Sequence, residues 1–171
     1  LTVSLTPKSD LITAGGRLFP ANPTFENFAQ VWHQVPFFKW YVNSTIISVL
    51  FTVGQLISIS LTAFALARLR FPGRGLLMIV VLATMMMPFQ AVMIPMFTLM
   101  YDLGWINTSL PLWVPAFFGD TTGAFGIFLL RQAFLGVPNA FAEAAVIEGA
   151  SLWTIFWKVY LPLVKPFISV V

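Results

Sequence analysis

No Asp, Glu, Lys or Arg occurs between Lys39 and Arg68, and none between Arg74 and Asp102. A hydrocarbon core of ~30 Å is crossed by about 20 apolar helical residues, so residues 40–67 and 75–101 are each long enough to span a bilayer. A third apolar stretch, residues 108–130, is interrupted only by Asp120, and a fourth begins at residues 163–171. Charged residues make up 9% of the chain and the mean hydropathy is +0.88, whereas an ordinary soluble domain is about 25% charged. That is too little charge to cover a water-facing surface. The expected fold is all-α, a polytopic transmembrane helical bundle in contact with lipid, and a soluble enzyme is excluded.

The connectors set an orientation. Arg68, Arg70 and Arg74 crowd the short link after the first stretch, while the link at residues 102–107 holds no Lys or Arg. The positive-inside bias then places residues 68–75 and 131–162 in the cytoplasm and residues 1–39 outside, as an external loop broken by Pro7, Gly15, Gly16, Pro20 and Pro23. In that loop Thr24 is positioned to cap a short helix carrying Phe25, Phe28 and Trp32 on one face. Pro88 and Pro95 lie two helical turns apart and are expected to kink one side of the second span. Met85, Met86, Met87, Met93, Met96 and Met100 surround them as flexible filler.

Other partners and chemistries find little support. The net charge is +3 with a pI near 9.6, but the basic residues are dispersed, so there is no stripe for nucleic acid. With no cysteine and His33 as the one histidine, neither a metal site nor a cofactor is expected. The chain begins at Leu1 with no signal-peptide pattern and ends within an apolar run, which reads as a fragment of a longer polypeptide.

Residues 131–162 are too polar for a span and too long for a turn. Pro138 and Asn139 can start a helix that runs to Glu148, Gly149 supplies its stop, and Ser151 can cap a second helix, Leu152 to Leu161, ended or kinked by Pro162. In that second helix Leu152, Ile155, Phe156 and Val159 form an apolar face, with Trp153, Trp157 and Tyr160 stacked on another at headgroup depth. The result is a helix–glycine–helix elbow with alanines and two carboxylates, Glu143 and Glu148, on its tip. Pattern alone leaves two readings: a docking element, or a linker helix on the bilayer.

Glu143-Ala144-Ala145, then Gly149-Ala150-Ser151, then Leu161-Pro162 with Lys165-Pro166 resembles the EAA loop of type I ABC importer permeases, E-A-A-x-x-x-G followed about ten residues on by L-P. Asn43-Ser44, residues 67–74, Ile94-Pro95, Gly104 with Asn107-Thr108, and residues 128–132 are similar to the carbohydrate-uptake branch, the MalG-like subunits. Glu148 stands where that branch usually has Asp. The resemblance covers nearly the whole chain, apart from the family's first span and its last one or two. It implies a partial permease fold, with residues 1–171 as one transmembrane domain of a multi-pass protein in a bacterial-type cell membrane. It implies an elbow that couples to a separate ATP-binding subunit through Glu143, Ala144, Ala145, Glu148, Gly149, Ala150, Leu161 and Pro162. The expected partners are two ATP-binding subunits, a second permease subunit, identical or different, and an external solute-binding protein. The chain has no G-x-x-x-x-G-K-[S/T] run, so ATP hydrolysis is expected in a partner and no catalytic residue here.

Asp120 has two readings. If residues 108–130 form one helix, Asp120 lies ~16 Å from Arg131, near the midplane, where a carboxylate costs about 2.5–3.5 kcal/mol and seeks a polar cavity. Asp120, Thr121 and Thr122 are then candidates to line a substrate pathway. Alternatively residues 119–123 form an external turn with a short helix before it. Gly119 and Gly123 also have the spacing of close helix packing. The visible spans lack cationic residues, which favours a neutral sugar. The alternatives are the same fold importing a polyol phosphate or a peptide, or a membrane subunit without a transport role.

Overall fold

A computed structural model describes residues 3–10, 19, 22–119 and 123–170; among them the chain is helical, with no strand. It divides into two compact units, Leu1–Ile46 and Ile47–Val171.

In the first unit, short 3-10 turns at Val3–Leu5 and Lys8–Asp10 accompany helix α1, Glu26–Gln34. Asn27 Nδ2 donates to the carbonyls of Ser4 (3.0 Å) and Thr6 (2.9 Å), which pins the first turn to the helix. Thr24 acts near the place its residue type suggests, its hydroxyl accepting the Glu26 N–H at 3.2 Å. Phe25, Phe28 and Trp32 stay exposed.

Helix α2, Phe37–Arg68, matches the first charge-free stretch and runs through the boundary between the units. It is apolar around its whole circumference. Only 33% of its most apolar window is buried within the chain, so the outward residues, among them Val49, Val53 and Ile57, require lipid or another apolar helix. Two of its hydroxyls bond back within the helix, Thr45 donating to the Tyr41 carbonyl and Ser60 to that of Leu56, as suits a low-dielectric surround.

The second stretch is not one continuous helix. It is α3, Arg74–Met85, and α4, Phe89–Asp102, bent by 102° at the break. The two prolines behave differently, contrary to the expectation of two similar kinks. A proline disfavours helical backbone in the residue before it, and Pro88 itself is extended (ψ 138°), starting α4 where its missing N–H costs nothing. Pro95 lies inside α4. Most of the neighbouring methionines face outward; of those six only Met100 is buried. Gly104, with φ +68°, closes α4, the Trp105 N–H reaching the Met100 carbonyl at 2.9 Å.

The expectation of one helix over residues 108–130 also fails. Short 3-10 turns at Leu110–Leu112 and Val114–Phe118, each with a proline in its first two residues, lead to Gly119 in the left-handed region (φ +76°), and helix α5 is described over Gly123–Gly136. Pro111 and Pro115 remove N–H donors, and Gly119 turns the chain. Helices α6 (Asn139–Ile147) and α7 (Leu152–Ile155), a π-helical turn (Phe156–Tyr160), and short helices α8 (Leu161–Leu163) and α9 (Lys165–Ile168) complete the unit.

The core lies where α2, α5 and residues 155–164 meet: Ile59, Ala63, Phe64 and Leu66 from α2, Ile127, Leu130 and Phe134 from α5, then Ile155, Phe156, Tyr160 and Val164. Gly119 and Gly123 both approach α2, at Ser58 and Ile59. The tightest approach is elsewhere. A Cβ on Gly54 would stand 2.4 Å from two ring carbons of Phe117, so the ring sits against bare backbone. Gly54→Leu is therefore expected to displace Phe117 and lower stability by about 1–3 kcal/mol. Gly75→Ala, where an added Cβ meets nothing within 4 Å, should be neutral. Thermal unfolding of the full-length protein in nanodiscs checks this, and equal melting of both variants would contradict it.

Candidate functional site: the helix–glycine–helix elbow

The elbow forms from the signals in its sequence. Pro138 is extended (ψ 138°) and α6 starts immediately after it. At the other end Gly149 has φ +79°; its N–H reaches the Val146 carbonyl and the Ala150 N–H reaches that of Ala145, both at 2.9 Å. This pair of bonds is the Schellman closure, which needs a left-handed residue at the glycine position. The Ser151 hydroxyl then accepts the Thr154 N–H at 3.2 Å and caps α7.

Glu143, Ala144, Glu148 and Gly149 are exposed, whereas Ala145 and Ala150 pack against the core. Val146 is exposed too, and Ile147, at 86% exposure, adds apolar surface to the tip. Leu161 is half-buried on the core and Pro162 is exposed. Asp120, Thr121 and Thr122 lie outside the described residues.

The second arm differs from the expected aromatic stack. Trp153 and Trp157 do pair, edge to face at 5.8 Å, and remain exposed. Tyr160, however, is 2% exposed and sits with Phe64, Phe134 and Phe156 in the core. The π-helical turn accounts for this. The Leu161 N–H bonds back to the Phe156 carbonyl, a wider turn than 3.6 residues, which rotates Tyr160 off the tryptophan side. Pro162, which cannot donate, follows directly.

Sequence reasoning treated Arg68 as a determinant of topology. The structure gives it a different place. Its guanidinium donates through Nη2 to the carbonyls of Phe134 and Val137 and through Nη1 to the Asn139 side-chain oxygen. It also lies 4.7 Å from the centroid of the Tyr160 ring, within cation–π range. Arg131 returns the contact, Nε donating to the Leu66 carbonyl at 3.2 Å. Arg74 donates to the Leu69 carbonyl at 3.2 Å. A cavity of about 520 Å³ opens between these arginines and the elbow, lined among others by Arg68, Arg70, Arg74, Asn139 and Glu143. Among the described residues no group of three or more His, Cys, Asp or Glu is placed to hold a metal. What the arrangement offers is a stiff base carrying an exposed, mixed acidic and apolar tip.

These features define a polytopic α-helical membrane protein with a braced elbow. Residues 57–170 match the family described as "Binding-protein-dependent transport system inner membrane component", and the chain belongs to that family. It is 32% identical to the arabinooligosaccharides transport system permease protein AraQ of Halalkalibacterium halodurans, over 97% of this chain and 59% of the relative. It is also 32% identical to the galactooligosaccharides transport system permease protein GanQ of Bacillus subtilis, over 98% of this chain and 59% of the relative. Its fold is similar to a chain in the crystal structure of a bacterial ABC transporter involved in the import of the acidic polysaccharide alginate, with a TM-score of 0.82 and 31% identity over 99% of this chain and 58% of that one. The chain thus spans about three-fifths of the length of these relatives.

Proposed function

We propose that this chain is part of the permease subunit of an ATP-driven importer of a sugar or sugar derivative. The elbow docks on a separate ATP-binding subunit, and closure of two such subunits on ATP moves the membrane helices. A second permease subunit completes the pathway, an external binding protein delivers the solute, and residues 131–162 face the cytoplasm. One observation carries this reading: a glycine-closed elbow with Glu143, Ala144 and Glu148 exposed, within a family of binding-protein-dependent transport components. The oligosaccharide permeases among its relatives support a carbohydrate. The apolar stretches at residues 40–67 and 75–101, which hold no Lys or Arg, support a neutral one.

The test is ATP hydrolysis by the full-length transporter reconstituted with its binding protein. Neutral oligosaccharide is expected to stimulate hydrolysis and an acidic oligosaccharide to leave it at background. Stimulation by the acidic sugar or by a polyol phosphate alone would replace the substrate assignment. No stimulation by any solute the binding protein retains would contradict the importer reading.

A further inference from the structure

Helices α5 and α6 are joined in sequence only through Val137 and Pro138, a link with no N–H at the proline and no helical bond of its own across it. Load on the elbow tip would be absorbed by bending there unless something else ties α6 to the membrane helices. Ala142 and Ala145 pack α6 on the core, and the cross-brace made by Arg68 and Arg131 adds a directional polar tie at its first residue. Arg68, the last residue of α2, reaches across to the Phe134 carbonyl in the last turn of α5, to the Val137 carbonyl in the link and to Asn139, the first residue of α6, and covers the ring of Tyr160 in the π-helical turn. Arg131 of α5 fastens back to the last turn of α2. Cations at helix C-termini are favoured by the local dipole, and the interaction with three acceptors and a ring face uses the planar fork that arginine has and lysine lacks.

We propose that Arg68 is the positioning residue that makes α2, the end of α5 and the elbow move as one body, so that motion of the docked elbow reaches α2. The inference rests on the docking reading above and adds the route by which docking is transmitted. It makes Arg68 dispensable for contact with the ATP-binding subunit and necessary for coupling.

The experiment uses the full-length transporter in nanodiscs, with spin labels at Val53→Cys on α2 and Phe141→Cys on α6, both exposed and neither assigned to the docking contact. In the parent the distance distribution is expected to be narrow and to stay narrow when ATP is added. In Arg68→Lys it should broaden, while the ATP-binding subunits still co-purify and solute-stimulated hydrolysis falls about tenfold, the effect of losing one charge-assisted hydrogen bond from the coupled state. Asn139→Leu removes only the α6 arm of the fork on an exposed residue and should give a smaller loss of the same kind, so the inference stays testable if the lysine variant fails to assemble. Tyr160→Phe keeps the ring and should couple normally. Glu143→Lys, assayed alongside, separates the two ideas. If it abolishes co-purification while Arg68→Lys and Asn139→Leu couple like the parent with narrow distances, the Arg68 inference is overturned and docking stands. If Glu143→Lys leaves co-purification intact, the docking reading falls and this inference with it.

Discussion

Gly149→Val is expected to leave membrane insertion unchanged and to remove most of the binding of the ATP-binding subunit. Gly149 has φ +79° and an added Cβ would meet nothing within 4 Å, so the penalty is one of backbone conformation and not of space. A non-glycine residue in the left-handed region costs roughly 1–2 kcal/mol, more when β-branched, enough to favour opening the Schellman closure and reorienting Glu143 and Ile147. Asparagine tolerates the left-handed region, so Gly149→Asn should retain most of the binding. Co-purification from membranes at equal expression measures both variants. Valine and asparagine behaving alike would show that the closure does not matter.

Phe134→Ala should produce the largest loss of stability. The side chain is 0% exposed, its ring lies 5.8 Å from that of Phe64 and 6.0 Å from that of Tyr160, and its carbonyl accepts from Arg68. Truncation removes the ring that joins α2, α5 and the π-helical turn and leaves a cavity, at a cost of about 3–5 kcal/mol. That corresponds to a melting shift on the order of 10 °C for a chain of this size. Phe134→Leu keeps much of the volume and should lose far less. An alanine variant melting with the parent would mean that the aromatic cluster is not what holds these elements together.

What the sequence made legible follows from which signals are local. A run without charge marks α2 because lipid tolerates nothing else over that length, and proline, glycine and serine at residues 138, 149 and 151 mark the elbow because each fixes a backbone angle or supplies a cap. Pro88 and Pro95 could not be told apart. A uniformly apolar stretch carries no periodicity to say which proline ends a helix, and packing decides it. Tyr160 was misplaced because a 3.6-residue period was applied across a π-helical turn. The unity of residues 108–130 was overestimated because hydropathy ignores Pro111, Pro115 and the left-handed Gly119. Arg68 was the largest omission. Its acceptors, Phe134, Val137 and Asn139, are remote in sequence, and a charge beside a membrane span looks the same whether it faces headgroups or caps a neighbouring helix. The Gly54–Phe117 contact was hidden for the same reason.

The central claim, that the elbow docks a separate ATP-binding subunit, is tested most directly by purifying the full-length tagged protein in mild detergent and identifying the accompanying chains by mass spectrometry. The account predicts a P-loop ATPase in the eluate, reduced by Glu143→Lys at unchanged expression. A protein recovered alone, under conditions that keep other membrane complexes together, would contradict it.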